Sequence, residues 1–174
     1  EAKDLIKKAL SVLGDQYIKD LENAFNSKWI DVYENIGKRS GAYSWGCYAT
    51  HPYVLMNYQS KYNDVSTLAH EMGHAIHRYY SNNNQEYYYS DNVIFVAEIA
   101  STVNETLLNL YMLEHNKNKK LITNEILEDI KNTVFRQTMF AEFELEVHNK
   151  SFNGESLSKD ILNNIYFELV KKYN

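Results

Sequence analysis

The chain has 174 residues and a net charge of −5 at pH 7, with 44% hydrophobic and 24% charged residues, 15 Tyr, 7 Phe, 2 Trp, one Pro and one Cys. That length suits one ordinary domain and is short for two well-cored ones, the composition excludes wholesale disorder, and no stretch approaches the ~20 apolar residues of a membrane span. Lysines scattered along a mildly acidic chain argue against a nucleic-acid binder, and the lone Cys47 excludes an intrachain disulfide and favours a reducing, cytoplasmic setting.

The chain opens on Glu1-Ala2-Lys3-Asp4, without Met or an apolar signal core, as a piece of a longer protein would. Leu5, Ile6, Ala9, Leu10 and Leu13 recur at helical spacing. After Gly14-Asp15 the stripe resumes at Tyr17, Ile18, Leu21, Ala24 and Phe25, so two short amphipathic helices are expected. Between Ser40 and Ser60, Gly41, Gly46 and Pro52 punctuate segments rich in aromatic and branched residues. Two strands, Ala42 to Trp45 and Tyr53 to Tyr58, are predicted as a hairpin, with Pro52 suiting an edge. The second of these would offer a backbone edge to an extended peptide, or simply cover the helix that follows.

Asp64 caps a predicted helix with the apolar face Val65, Leu68, Ala69, Met72, Ile76 and Tyr79, ending in a Ser81 to Asn84 loop. Asp91 caps a longer one from Asn92 to His115. A Lys117 to Lys120 loop, a helix from Thr123 to Lys150, an Asn153-Gly154 turn and a helix from Ser158 to Tyr173 complete the reading. The fold class is mainly α with a small β element.

One string stands apart: His70-Glu71-Met72-Gly73-His74. On a helix the two imidazoles lie one turn apart on the same face and converge on one ion, while Glu71, rotated by about 100°, sits beside that ion as a base. Chance produces such a string in roughly 0.02 chains of this composition, and the bland alternative is two polar histidines on a solvated face. A catalytic zinc takes a third protein ligand. The metzincin arrangement would need glycine at 77 and histidine at 80, and the chain has His77 and Tyr80. Glu98 is the candidate instead. It lies inside Val93-Ile94-Phe95-Val96-Ala97-Glu98-Ile99-Ala100, a run apolar on nearly all sides as in a buried helix, where a carboxylate needs a metal or an ion pair with Arg78 or Arg136. Ser101, Thr102, Glu105 and Asn109 continue a polar stripe from Glu98 that wants the histidine face as its partner. His70, His74 and Glu98 then form a His₂Glu metal set.

The runs Trp29 to Asn35, Lys38 to Gly46, His51 to Tyr58, Asn63 to His74, Phe95 to Thr102 and Arg136 to Glu144 closely resemble the catalytic core of oligoendopeptidase F, in the thimet-type zinc oligopeptidase family. The resemblance spans at least residues 29 to 144. It implies a helical, zincin-like metallopeptidase core, Zn²⁺ held by His70, His74 and Glu98, and Glu71 as general base toward a water on the zinc. Its substrates would be short peptides cleaved at internal bonds. His77 matches the family pattern and is read as lining the site, Gly73 as allowing close backbone approach, and Thr102 and Glu105 as orienting a ligating histidine. His51 reads as a turn residue and Cys47 as a small strand hydrophobe; His115 and His148 read as solvated.

The family also uses a downstream aromatic segment with His and Tyr against the oxyanion, and nothing after Phe152 resembles it. The expected organisation is one catalytic-core fragment over residues 1–174, with a helical lead-in (1–37), a metal-site region (38–116) and C-terminal helices (117–174). The alternative is a zinc-binding but catalytically incompetent fragment, or a helical interaction module. No nucleic-acid or membrane partner is expected.

Overall fold

A computed structural model describes residues 1–116 and 118–173, so Lys117 of the predicted loop and the terminal Asn174 lie outside it. Helices dominate. α1 (Ala2–Ala9) runs into a 3-10 turn (Leu10–Leu13) and α2 (Asp15–Asn26), followed by strands β1 (Ile30–Asp31), β2 (Tyr43–Trp45) and β3 (Tyr53–Leu55). Then come α3 (Tyr62–Asn84), α4 (Ile94–His115), α5 (Lys119–Ile130), α6 (Arg136–Phe152) and α7 (Lys159–Tyr173). Two compact units divide the chain, Glu1–Lys117 and Asn118–Asn174. Among the described residues no helix is long and apolar enough to cross a membrane.

The apolar stripes of the first two helices do what their spacing requires. Ile6, Ala9, Leu10, Leu21 and Ala24 are buried, and they meet Leu68, Ala69, Met72, Ala75 and Ile76 of α3 and Leu108 of α4 in one core. Each large side chain so buried contributes about 1.5–3 kcal/mol. The core therefore takes the face of α3 opposite His70 and His74 and leaves those two half-buried at its edge.

β2 and β3 form the expected antiparallel pair, with Ser44 opposite Val54. β1 was not foreseen: it pairs parallel to β3, Ile30 opposite Val54, and makes the strand order β1-β3-β2. Backbone N–H groups of Val54, Met56 and Tyr58 donate to Trp29, Asp31 and Val32 (2.7, 2.8 and 3.0 Å). This corrects the edge assignment, because β3 is paired on both sides and cannot accept a further strand; β2 is the edge strand facing the site. Cys47 lies after β2 and is exposed, not a strand hydrophobe.

Several helix boundaries also differ. α3 starts at Tyr62, and Asp64 sits inside its first turn, where its carboxylate accepts the N–H groups of Gln59 and Lys61 (2.8 and 2.9 Å). The helix continues through the predicted Ser81 to Asn84 loop. Asp91 caps nothing; it pairs with Arg78 at 2.7 Å. α5 begins at Lys119, with the Asn118 side chain accepting the Leu121 N–H, and reaches α6 through one π-helical turn (Lys131–Phe135) where a single helix was expected. In this second unit Met139 packs against Ile165 and Leu169 of α7.

One buried polar group ties the first unit together. Asn104 of α4 is 1% exposed; its Nδ2 donates to the Ala69 carbonyl (3.0 Å) and its Oδ1 accepts the Tyr17 hydroxyl (2.9 Å), joining α2, α3 and α4. Asn104→Ala removes the partner of the partly buried Tyr17 hydroxyl and of the Ala69 carbonyl. The expected loss is about 1–3 kcal/mol in urea unfolding, and an unchanged midpoint would mean that the bridge contributes nothing.

Candidate metal centre

The rings of His70 and His74 stand nearly perpendicular (84°) with centroids 4.7 Å apart, and their Nε2 atoms are 3.1 Å apart. α4 packs against this face and brings Glu98 Oε2 to 3.6 Å from each Nε2. These three side chains could hold a metal ion. A tetrahedral site with bonds of about 2.0–2.1 Å separates its donor atoms by about 3.3–3.4 Å, the scale of the triangle formed here.

A second layer orients the donors. His70 Nδ1 lies 2.9 Å from Glu105 Oε2. A carboxylate only accepts, so the ring proton sits on Nδ1 and the Nε2 lone pair of the neutral ring points to the centre of the triangle. Burial disfavours the charged form of His70, but the Glu105 bond and the nearby carboxylates outweigh it and raise its pKa. His74 moves the other way, because burial and the charge of His70 both oppose its protonation. Without a metal, His70 is therefore the imidazole that takes a proton first.

Glu71 follows His70 on α3 and is not one of the three convergent donors. Its carboxyl is buried, and Oε2 has no hydrogen-bond partner among the protein groups. Burial raises its pKa, the charge of His70 opposes that, and Glu98 and Glu105 add to the rise. A carboxylate more basic than usual, with an uncommitted oxygen beside three convergent donors, is suited to accept a proton.

The two helices approach so closely because of Gly73. A Cβ built there would stand 2.6 Å from the Ala100 carbonyl oxygen and 2.7 Å from Ser101 Cα, so α4 occupies the space that a side chain would need. Two expectations about α4 change. Its first turns are not buried: Ile94 and Phe95 are each 78% exposed, because α4 packs through Ser101, Asn104 and Leu108 and only that face is covered. Glu98 is accordingly half-exposed, and Arg78 and Arg136 go elsewhere, Arg78 to Asp91 and Arg136 over the Phe140 ring. Thr102 orients no histidine, since its hydroxyl donates to the Glu98 carbonyl at 2.6 Å.

A cleft of about 310 Å³ opens beside the donors, lined by Ser44 and Trp45 of β2, His74, His77, Arg78 and Glu98. A larger cavity, about 530 Å³, lies between α1, the sheet and the start of α3, but none of the convergent donors line it. The chemistry belongs to the smaller cleft.

Residues 4–174 match the model of peptidase family M3. The chain belongs to that family. Oligopeptidase PepF of Bacillus subtilis (strain 168) is 50% identical over 99% of this chain, and the chromosomal oligoendopeptidase F of Lactococcus lactis subsp. cremoris is 45% identical over 97%. The chain spans 26% and 29% of the lengths of these two relatives. A crystal structure from Chlamydophila abortus superposes with a TM-score of 0.80 at 45% identity, covering 99% of this chain and 30% of that one. PZ peptidase A with an inhibitor superposes at 0.78 with 19% identity over 98% of this chain and 30% of its own, and so agrees in fold alone.

Four other histidines of this M3 chain lie outside the donor triangle, and His148 is exposed on α6. His77 lines the cleft, its pKa lowered by burial and then by Arg78. His51 stacks on Trp29 at 4° and 5.4 Å, and His115 stacks on Tyr111. Sequence reasoning placed Ser101 on the polar stripe without giving it a role, and it passed over Asn104, which is off that stripe.

Proposed function

We propose that this chain is the zinc-binding catalytic core of a metalloendopeptidase that hydrolyses internal bonds of short oligopeptides. The observation that carries this reading is the convergence of His70 Nε2, His74 Nε2 and Glu98 Oε2 within 3.1–3.6 Å of one another, with the buried Glu71 carboxyl beside them. Two imidazoles and one carboxylate are a donor set suited to Zn²⁺ at a catalytic site. When bound, zinc supplies Lewis-acid polarisation of the scissile carbonyl and lowers the pKa of a water to ~7. His70, His74 and Glu98 would hold the ion, with Glu105 keeping the His70 lone pair directed at it. Glu71 would take the water's proton and pass it to the departing amine.

β2 supports the choice of substrate. It has β3 on one side only, and Ser44 and Trp45 border the cleft that contains His74 and Glu98. An extended peptide laid along that edge would present its backbone to the donors. The exposed thiol of Cys47 fits a reducing, cytoplasmic setting. Because the chain spans under a third of its relatives' length, zinc binding without turnover is the second reading.

The test combines zinc stoichiometry with cleavage of an internally quenched peptide. One zinc per chain is expected, with hydrolysis that Glu71→Gln lowers by about 10²–10⁴-fold. Failure to bind zinc after loading would overturn the metallopeptidase reading, and bound zinc with no turnover would favour the second.

A further inference from the structure

Glu98 has to present one particular oxygen to the two histidines, although its side chain is half-exposed and could turn outward. Only Ser101 touches that oxygen from within α4. Its hydroxyl is fully buried and lies 3.0 Å from Glu98 Oε2, and also 3.0 Å from the Glu98 backbone carbonyl. A hydroxyl has one hydrogen to donate, so these two acceptors compete for it.

The neighbouring residue settles the competition. The Thr102 hydroxyl donates to the same carbonyl at 2.6 Å. In an α-helix that carbonyl also takes the N–H of residue 102, so both of its lone pairs are filled. The Ser101 proton is left for the carboxylate. No water competes there, since Ser101 is 0% exposed and its Cα lies in the backbone contact against Gly73.

We infer that Ser101 is a positioning residue that holds Glu98 Oε2 toward His70 and His74, and that Thr102 directs the Ser101 proton there by occupying the competing carbonyl. This rests on the metal reading above. A hydrogen bond to a charged carboxylate is among the stronger ones, and it still leaves lone pairs on that carboxylate for a cation. The side chain is thereby held in its binding rotamer before an ion arrives.

The test is a zinc titration against a chromophoric chelator on wild type, Ser101→Ala, Thr102→Val and the double variant, with thermal unfolding of each metal-free protein. Ser101→Ala should raise the zinc Kd about 10–100-fold, the range found for residues that support metal ligands. Thr102→Val should raise it less, and the double variant should match Ser101→Ala, because Thr102 acts only through Ser101. A purely structural role would lower metal-free stability and leave Kd unchanged. An unchanged Kd in Ser101→Ala overturns the inference, as does an unchanged Kd in Thr102→Val or additive losses in the double variant. Failure of the wild type to bind zinc would instead overturn the metal reading on which it rests.

Discussion

Glu98→Ala should abolish tight zinc binding, while Glu71→Gln should leave it nearly intact. The two carboxylates stand on opposite sides of the same question. Glu98 Oε2 is 3.6 Å from both histidine nitrogens and completes their triangle. Removing it leaves two imidazoles one helical turn apart and a Kd raised by more than about 100-fold, beyond what loss of a supporting residue costs. Glu71 lies outside the triangle, and its amide replacement keeps the shape of a buried side chain while removing its basicity. A competition titration reads the difference directly. Thermal unfolding gives a second readout: zinc at 100 times the wild-type Kd should stabilise wild type and Glu71→Gln by about 2.7 kcal/mol and Glu98→Ala by no more than about 0.4 kcal/mol. Truncation of Glu98 also strands the buried Ser101 hydroxyl, so the metal-free fold should lose about 1–3 kcal/mol, and the Kd comparison is made on folded protein. Equal loss of zinc in both variants would mean that ligand and base have been assigned the wrong way round.

The parts of this site that were legible in the sequence are those governed by helical periodicity. The i, i+4 histidines, the apolar face of α3 and the polar stripe running from Glu98 to Asn109 all follow from 3.6 residues per turn. Glu105 was within reach because it lies on that stripe. Periodicity has nothing to say about a two-residue strand, so β1 was missed, and of the two readings of β3 the one as a free edge falls. Nor does an all-apolar run say which of its faces is covered. Val93, Ile94, Phe95 and Ile99 look like a buried helix by composition, yet α4 packs through Ser101, Asn104 and Leu108. Asp64 and Asp91 read as caps because both precede apolar runs. In the fold Asp64 lies inside the first turn of α3 and caps it from there by accepting the Lys61 N–H, while Asp91 is drawn off by Arg78. Ser101 and Thr102 illustrate a finer limit: two adjacent hydroxyls on one stripe divide their acceptors by geometry of a few tenths of an ångström, which no spacing rule encodes.

Gly73→Ala is the substitution in which local preference and packing disagree most. Gly73 lies inside a 23-residue helix, where alanine is intrinsically preferred by about 0.8–1.0 kcal/mol. Helix propensity alone predicts a stabilised protein. The added methyl, however, would stand 2.6 Å from the Ala100 oxygen, 2.7 Å from Ser101 Cα and 2.9 Å from the Ala100 carbonyl carbon. All three are backbone atoms, so no rotamer change relieves the contact and α4 must move as a body. Overpacking of this kind costs about 1–3 kcal/mol, so the net change in urea unfolding should be destabilising despite the better helix former. The same movement carries Glu98 and Glu105 away from His70 and His74, opening distances of 3.6 and 2.9 Å that the donor triangle and the His70 bond require. Zinc affinity should therefore fall together with stability, whereas at Asn104, where the substitution removes a bridge without inserting an atom, the effect on affinity should be the smaller one. A Gly73→Ala protein that is more stable than wild type and binds zinc equally well would show that the two helices are not held at their spacing by that glycine.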